Sequence, residues 1–158
     1  MVSIVPNAER AEQLVARLQL SGHRLTPQRL ALVDLLTSDR SHPSAEQVYN
    51  RLKAQYPTIS LATVYNTLEM LVDLGEALPL DLNDGCTRYD VVRPAAHPHV
   101  ICRRCGAVQD LDLAGLEELL KQARAAVQFQ SLQARVHFEG ICPKCTQEGV
   151  KTAEAPDA

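Results

Sequence analysis

The sequence predicts an α+β fold built from an N-terminal bundle of short helices, a β-hairpin and a second, smaller α/β unit. Apolar side chains recur at helical spacing over the first 75 residues, and the spacing then changes to the alternation of strands. Two Cys-x-x-Cys pairs fall within the second half. The 158 residues are enough for one compact domain or two small ones.

The first two helices are indicated by apolar periodicity and by a cap. Residues 9–20 place apolar side chains at the spacing of an amphipathic helix. Thr26 followed by Pro27 is typical of an N-cap and a first helical position. We therefore expect a second helix that begins there and runs through Leu36.

The next two helices each begin after a serine. Ser44, with Gln47 three residues later, predicts a capping box for the third helix. Ser60 is the predicted N-cap of a fourth helix over residues 61–74, and Gly75 suits the left-handed position after its end. Short links between such helices are typical of a helix-turn-helix bundle.

A β-hairpin is predicted directly after the fourth helix. Residues 77–82 and 87–92 alternate in the manner of strands around an Asn-Asp-Gly turn at 83–85. A hairpin in this position is the wing of a winged helix. We therefore predict a winged helix-turn-helix domain over residues 1–92.

The remaining chain divides into a linker, a small α/β domain and a tail. Residues 93–99 form the predicted linker, 100–147 the α/β domain and 148–158 a disordered tail. Within the domain we expect strands near 100–101, at 107–113 and at 132–138, and a helix at 116–127.

Composition excludes several classes of protein. The net charge of −3 lacks the basic excess typical of a nucleic-acid binder, and five cysteines are too few for a disulfide scaffold. A hydrophobic fraction of 46% excludes a disordered or fibrous chain. The N-terminus lacks the pattern of a signal peptide, and no apolar run approaches the roughly 20 residues of a membrane span. We therefore expect no membrane association and a cytoplasmic location, with reduced thiols.

Four of the cysteines are predicted to bind zinc. Cys102 with Cys105, and Cys142 with Cys145, are two C-x2-C pairs, each just after a predicted strand. Four thiolates at this spacing suit a closed, tetrahedral, structural Zn²⁺ site. The alternatives are a redox motif, which would require one pair at a helix start, and four unrelated core cysteines. Cys86, on the hairpin, has no assigned role.

A second metal site is indicated by His97 and His99. In an extended segment, residues two apart face the same side, so both imidazoles can reach one ion. Spacing alone does not assign His42, Asp90 or Asp110 as further ligands, because they lie far apart in the chain. If all five converged, their nitrogen and oxygen donors would suit Fe²⁺ or Mn²⁺ and would join the two halves of the chain.

Several short segments, in order along the chain, resemble a known family. RLTPQR at 24–29, HPSA at 42–45 and ATVYN at 62–66, with the two cysteine pairs, resemble the ferric uptake regulator family of metal-dependent transcription repressors. The resemblance runs from about residue 9 to residue 145. It implies a winged-helix domain followed by an α/β dimerisation domain, and hence a homodimer that is not an enzyme.

Within the family, the residues most resemble the peroxide-sensing branch. The branches that sense iron or zinc more often carry Glu in place of Asp90, and carry further ligands where this chain has Ala96, Pro98 and Ala134. A repressor that senses iron or zinc supply is the alternative. The resemblance implies that the regulatory Fe²⁺ or Mn²⁺ is held by His42, Asp90, His97, His99 and Asp110.

The resemblance also implies a mechanism. With Fe²⁺ or Mn²⁺ bound, the dimer would fit a palindromic, AT-rich operator in double-stranded DNA. Hydrogen peroxide would oxidise a ligand imidazole of the Fe²⁺ form, at His42 or His97, and the weakened site would release the DNA. The Mn²⁺ form would repress but respond weakly.

DNA contacts are expected on the fourth helix, which would lie in the major groove as the recognition helix. Thr63, Tyr65 and Asn66 near its start are the expected groove contacts, although Tyr65 could instead belong to the core. By resemblance, Arg24 would reach the minor groove. A local excess of arginines over acids would supply phosphate contacts from Arg10, Arg17, Arg24 and Arg29.

Two other classes of protein compete with this interpretation. A metalloenzyme would need a general base or nucleophile beside the histidines and aspartates, and the sequence offers no such arrangement. A zinc-ribbon interaction module would bind no DNA. It would therefore not shift an AT-rich palindromic duplex when metal is added.

Overall fold

A computed structural model describes residues 7–82, 85–132 and 134–147, and its elements confirm the predicted α+β class. The predicted tail at 148–158, and Asn83 and Asp84 of the predicted turn, lie outside the described residues. No helix within the described ranges has the length and apolar content to cross a bilayer.

The helices are Asn7–Leu20 (α1), Pro27–Ser38 (α2), Ala45–Lys53 (α3), Leu61–Asp73 (α4), Leu116–Ala126 (α5) and Pro143–Gln147 (α6). The strands are Leu78–Asp81 (β1), Thr87–Asp90 (β2), His99–Cys102 (β3), Val108–Asp110 (β4) and His137–Gly140 (β5).

Helices α2, α3 and α4 each begin at the predicted cap. Thr26 Oγ1 accepts a hydrogen bond from the Arg29 backbone N–H at 3.3 Å. The side chains of Ser44 and Gln47 each accept a bond from the other residue's backbone N–H, which completes the capping box. Ser60 accepts a bond from the third residue of α4 at 3.1 Å. These bonds satisfy backbone donors that the first turn of a helix leaves unpaired.

Helices α1 to α4, which we call the helical part, are built around one aliphatic core. All four helices contribute to it, and the end of the hairpin closes one side. Apolar residues at the predicted helical spacing therefore supply this core. The buried side chains are Leu14, Leu18, Leu32, Val33, Leu36, Ala45, Val48, Leu52, Ile59, Val64, Leu68, Leu71, Ala77, Tyr89 and Val91.

Replacing Leu68 with alanine is expected to lower the free energy of unfolding by about 2–5 kcal/mol. Leu68 is 0% exposed in the middle of α4, so its truncation leaves a cavity among closely packed helices. Denaturant unfolding followed by far-UV circular dichroism measures the change. Leu20→Ala is the control, because Leu20 is 84% exposed and its loss should matter by less than about 0.5 kcal/mol. Equal effects of the two substitutions would contradict the core assignment.

The hairpin connects the helical part to the second sheet. β1 and β2 pair antiparallel, with Leu78 opposite Asp90. Leu80 and Leu82 pack against Ile101 of β3 in a second, small apolar cluster. The wing is therefore in direct contact with the C-terminal sheet.

The C-terminal part, residues 99–147, has a small core. Its three strands are ordered β4-β3-β5, with β3 antiparallel to β4 and parallel to β5. Within the described residues of this part, the buried apolar side chains are Ile101, Cys102 and Cys145. A core of this size requires further stabilisation, which a structural metal or a second copy can supply.

Two details of the C-terminal part correct the sequence-based expectations. The strand expected at 132–138 is observed at His137–Gly140, and the short helix α6, which follows it, was not predicted. β5 forms where its backbone pairs with β3, and the Arg103 N–H donates to the Gly140 carbonyl at 2.9 Å beyond the last paired residue. This long-range pairing, rather than the local alternation of side chains, determines where the strand lies.

Candidate metal centres and DNA-binding surface

The first cluster consists of the two cysteine pairs. Cys102 ends β3 and Cys105 lies in the turn after it, whereas Cys142 precedes α6 and Cys145 lies on that helix. The four sulfurs all lie within 4.8 Å of one another. The sulfurs of Cys105 and Cys142 are 3.8 Å apart. Thiolates held tetrahedrally at about 2.3 Å from Zn²⁺ are about 3.8 Å apart, so the observed spacing fits that ion.

Backbone donors surround these thiols. The Cys142 N–H donates to the Cys102 sulfur at 3.3 Å, and the Cys145 N–H donates to the Cys142 sulfur at 3.5 Å. Donation from the N–H groups of Cys142 and Cys105 lowers the pKa of the Cys102 thiol to about 6, so a thiolate is available near neutral pH. Four converging sulfurs with no open position fit a structural Zn²⁺ site better than a redox pair.

The second cluster contains three imidazoles and two carboxylates from separate places in the chain. One donor atom from each of them lies within 4.8 Å of the other four. His42 lies in the loop before α3 and His97 lies in the linker, while Asp90, His99 and Asp110 lie at ends of strands β2, β3 and β4. The structure therefore brings together all five residues that the family resemblance implied as regulatory ligands.

Strand register explains part of this convergence. His99 and Asp110 are direct partners across the β3–β4 ladder, so their side chains lie on the same face of the sheet. The ring of His97, two residues earlier, lies 4.2 Å from that of His99 between centroids. The sheet and the end of the linker before it thus present three of the five donors side by side.

The loop of His42 is attached to the strand that carries Asp90. The backbone N–H of Tyr89 donates to the Pro43 carbonyl at 3.2 Å. His42 itself has a φ of 54°, a left-handed conformation that is uncommon for a residue with a side chain. Backbone strain of this kind persists where the surroundings hold the residue in place, often at functional sites.

The donor atoms have the spacing of ligands to a single ion. Asp110 Oδ1 is 2.8 Å from His42 Nε2 and 3.2 Å from His97 Nε2. The same oxygen is 3.6 Å from His99 Nε2. Asp90 Oδ2 is 3.6 Å from His42 Nε2 and 3.4 Å from His97 Nε2. Neighbouring ligands of an ion about 2.1 Å away are about 3 Å apart, which these distances approach.

The polar atoms of this cluster are buried, and their short contacts lack hydrogen-bond alignment. The side chains of His42, Asp90 and His99 are each 3% exposed. Because unpartnered buried polar atoms are costly, the cluster fits a bound cation, and imidazole and carboxylate donors suit Fe²⁺ or Mn²⁺. Across the described residues, the buried side-chain atoms without a hydrogen bond are His42 Nδ1 and Nε2, Asp90 Oδ2, His97 Nε2, His99 Nε2 and Asp110 Oδ1.

The charges within the cluster are coupled. Burial opposes the charged form of His42, but the carboxylates of Asp110 and Asp90 raise its pKa to about 9. Asp110 also raises the pKa of His97, against the effect of burial. Burial and the two neighbouring imidazoles lower the pKa of His99 to about 4. The carboxylates therefore favour positive charge on the neighbouring imidazoles. A bound cation would replace the protons that His42 and His97 retain.

Two of the ligands are oriented by backbone groups. The Nδ1 of His97 is 2.9 Å from the Ala95 carbonyl, a contact that directs Nε2 toward the cluster. Asp90 Oδ1 accepts hydrogen bonds from the N–H groups of Val92 at 2.8 Å and Arg93 at 2.9 Å. Its other oxygen, Oδ2, is left to face the cluster.

The cluster joins the two parts of the chain. His42 and Asp90 belong to the helical part and its wing, whereas Asp110 belongs to the C-terminal sheet. An ion pair between Arg93 and Asp112 at 2.9 Å links the linker to the segment after β4. A cation bound at the cluster would therefore hold the two parts together.

The predicted DNA contacts lie at the start of α4 and before α2. Asn66 and Arg24 are exposed. Thr63 is half-buried, and its hydroxyl lies 2.9 Å from that of the N-cap, Ser60. Asn66 is therefore accessible to a ligand, whereas the hydroxyl of Thr63 already contacts Ser60 within the protein.

Tyr65 belongs in part to the helical core, one of the two roles considered for it. The ring packs against the core, and the hydroxyl donates to the Glu46 carboxylate on α3, which raises the pKa of Tyr65 to about 12. Glu46 also accepts a bond from Ser44 at 2.9 Å. Glu46 was missed by sequence reasoning, because an acid in the first turn of a helix is an ordinary complement to the helix dipole.

The expected phosphate-binding patch of four arginines is wrong. Arg10 is 7% exposed and pairs with Glu76 at 2.8 Å, and Arg17 pairs with the same carboxylate at 2.9 Å. Arg29 donates to the Arg24 carbonyl. The local excess of arginines over acids did not include Glu76, which is distant in sequence and meets α1 only in the folded chain. Arg17 and Arg24 have exposed side chains, but the guanidinium of Arg17 is paired with Glu76.

Comparison with known proteins identifies one family. The model of the ferric uptake regulator family matches residues 20–146. The chain is 36% identical over 138 residues to the peroxide-responsive repressor PerR of Staphylococcus epidermidis, covering 87% of this chain and 91% of that protein. Its fold is similar to that of Helicobacter pylori Fur, with a TM-score of 0.73 at 19% identity over 98% of this chain and 100% of that one. Streptococcus pyogenes PerR aligns with a TM-score of 0.50 at 33% identity, covering 86% of this chain and 92% of that one. The chain belongs to the ferric uptake regulator family.

Proposed function

We propose that the protein is a metal-dependent, DNA-binding transcription repressor that responds to hydrogen peroxide. The observation that carries the proposal is the buried cluster of five nitrogen and oxygen donors between the winged helix and the C-terminal sheet. An ion there would control the angle at which the DNA-binding part is held. Relatives named as peroxide-responsive repressors, at 34–36% identity over most of the chain, support the peroxide signal.

Two ions have separate roles in this proposal. Zn²⁺ at the four cysteines stabilises the C-terminal part, because closed four-cysteine sites contribute folding energy and have no position for a substrate. Fe²⁺ or Mn²⁺ at the second cluster is the regulatory ion, and its release would separate the two parts. Its ligands would be His42, Asp90, His97, His99 and Asp110.

A homodimer formed by residues 100–147 completes the DNA-binding unit. Helix α5 buries none of its side chains within the described chain. Leu119, Phe129, Phe138 and Ile141 are exposed large apolar residues of the same part, and a second copy of this chain would cover them. Two winged helices related by a two-fold axis would then meet the two half-sites of a palindromic, AT-rich operator in the cytoplasm.

DNA would be bound by residues 1–92. Helix α4 would enter the major groove, with Asn66, Thr63 and Tyr65 near base edges, and Arg24 would approach the minor groove. The wing and the linker at 93–99 would transmit the state of the metal site, because Asp90 and His97 lie on them. Affinity for DNA would therefore depend on the regulatory metal.

Peroxide sensing would depend on the position of two imidazoles. Fe²⁺, when bound, would activate hydrogen peroxide beside its ligands, and in the net reaction the two electrons that reduce the peroxide would come from the oxidised imidazole. The family resemblance implies His42 and His97 as the targets, and the Nε2 atoms of both lie within 3.2 Å of Asp110 Oδ1 in the cluster. One oxygen atom adds to an imidazole carbon while water leaves, so the ring remains but loses its ability to act as a ligand. The two parts of the chain would then separate and release the DNA.

Metal-loaded forms test this function. Protein that already contains zinc is given Fe²⁺, Mn²⁺ or further Zn²⁺ without oxygen, and binding to duplexes selected from a random pool is compared with binding to scrambled duplexes. Hydrogen peroxide is then added. We expect the Fe²⁺ form to lose DNA binding and to gain one oxygen atom in a peptide that contains His42 or His97. The Mn²⁺ form should retain both its mass and its DNA binding.

The same experiment distinguishes the alternative within the family. A repressor that senses iron or zinc supply would release DNA when the metal is removed, yet it would keep its mass and its DNA binding after peroxide. The absence of metal-dependent binding to any selected duplex would contradict both forms of the proposal.

A further inference from the structure

Arg10 is a buried cation at the end of the first turn of α1, outside the residues that the family model matches. All three guanidinium nitrogens donate hydrogen bonds. Nε donates to the Val91 carbonyl at 2.7 Å, Nη1 to Glu76 Oε2 at 2.8 Å and Nη2 to the Glu76 carbonyl at 3.0 Å. A planar guanidinium with all its nitrogens engaged fixes the relative positions of the groups it contacts.

The carbonyl that Arg10 holds belongs to the peptide that orients a proposed metal ligand. The C=O of Val91 and the N–H of Val92 are parts of one planar peptide unit, so they cannot turn independently. That N–H donates to Asp90 Oδ1 at 2.8 Å. Fixing the Val91 carbonyl therefore fixes the donor that turns the Asp90 carboxylate, with Oδ2 facing the cluster.

Strand pairing does not hold this peptide. The ladder between β1 and β2 ends at the pair of Leu78 with Asp90. Beyond it the chain turns, and the side chain of Val91 is buried in the helical core at 1% exposure. Among the described residues, it is the bond from Arg10 that anchors the Val91 carbonyl from outside the turn.

We propose that Arg10 is a positioning residue for the regulatory metal, acting on Asp90 through the peptide between Val91 and Val92. This inference rests on the proposed function of the His/Asp cluster. It gives α1 a role in metal affinity, in place of the phosphate contact expected from sequence. Groups that orient metal ligands typically change metal affinity by about 10–100-fold when they are removed.

Arg17 provides a matched control. It also donates to the Glu76 carboxylate, at 2.9 Å, but its contact is to the side chain of Glu76 alone, and its own side chain is 54% exposed. Arg10→Lys and Arg17→Lys make the same chemical change beside the same carboxylate. Lysine at position 10 retains the charge but lacks the planar fork that holds Val91 and Glu76 together.

The test uses the full-length protein with zinc in its cysteine site. Mn²⁺ affinity is measured by calorimetry, and Co²⁺ is used as a spectroscopic probe of the His/Asp cluster. We expect Arg10→Lys to weaken Mn²⁺ binding by about 10-fold or more and to alter the visible Co²⁺ bands at saturation. Arg17→Lys should stay within about 2-fold of the unmodified protein, with unchanged bands. Equal affinities and identical Co²⁺ spectra for the two variants would overturn the inference.

A measurement on the unmodified protein covers the case in which Arg10→Lys does not fold. Coupling is reciprocal, so Mn²⁺ binding should increase hydrogen-exchange protection of α1 around Arg10 as well as of the turn after Asp90. Protection confined to the cluster and absent from α1 would also overturn the inference. If the unmodified protein binds neither Mn²⁺ nor Co²⁺ at the cluster, the proposed function itself is wrong.

Discussion

Cys105→Ser is expected to abolish stoichiometric zinc binding and to lower the unfolding midpoint by more than about 10 °C. Structural zinc contributes on the order of 10 kcal/mol to the folding of small domains, and 1 kcal/mol shifts the midpoint of a protein of this size by about 2–4 °C. Cys105 is exposed although its sulfur belongs to the cluster, so the substitution leaves no cavity. The effect therefore reports the metal rather than packing. Elemental analysis and thermal melts followed by circular dichroism measure both quantities.

Cys86→Ser is the control for this substitution. Cys86 lies on the hairpin, outside both clusters of candidate ligands, and the chemical change is identical. We expect this variant to keep one zinc per chain and a midpoint within about 2 °C of the original. A full equivalent of zinc and an unchanged midpoint in Cys105→Ser would contradict the assignment of the four cysteines as zinc ligands.

The small core of the C-terminal part explains why the zinc effect should be large. Three buried apolar side chains lie among its described residues, and two of them are cysteines of the cluster. The helical part, by contrast, has an aliphatic core that needs no metal. We therefore expect the C-terminal part to unfold on loss of zinc while α1 to α4 persist.

The elements that sequence predicted best are those with local signals. Thr26, Ser44 and Ser60 each cap the helix that follows, and a cap is a contact between residues two or three apart. Strand β5 has no such signal, because its position depends on pairing with β3 across the domain. The sequence therefore predicted correctly the helix starts, whose contacts are local, but misplaced strand β5, whose pairing partner is distant in the chain.

The same distinction applies to the candidate sites. Each cysteine pair and the pair of His97 with His99 can be recognised from spacing, since their members lie two or three residues apart. Asp110 joins them only through the register of β4 against β3, and His42 through an unusual backbone conformation in a loop. Resemblance to a family, not spacing, supplied those ligands.

His97→Ala is expected to remove metal control while leaving the fold intact. Its side chain is 5% exposed in the linker, and its polar contacts are with the cluster and with the Ala95 carbonyl. It is therefore a cleaner choice than Asp90, whose Oδ1 also bonds the backbone of the turn after β2. Loss of a ligand should weaken Mn²⁺ binding by more than about 100-fold, beyond the 10–100-fold typical of groups that only orient ligands.

Two readouts separate this effect from a general loss of stability. In the original protein, Mn²⁺ at 100 times its Kd should raise the free energy of unfolding by about 2.7 kcal/mol, and in His97→Ala the same Mn²⁺ concentration should raise it by less than about 0.5 kcal/mol. The variant should keep its zinc and bind the selected duplex equally weakly with and without Mn²⁺. His23→Ala, a histidine in the loop between α1 and α2 outside both clusters, should retain the full response. If His97→Ala kept Mn²⁺-dependent DNA binding, the His/Asp cluster could not be the regulatory site, because the ring nitrogen of His97 lies within 3.4 Å of both carboxylates that would hold the ion.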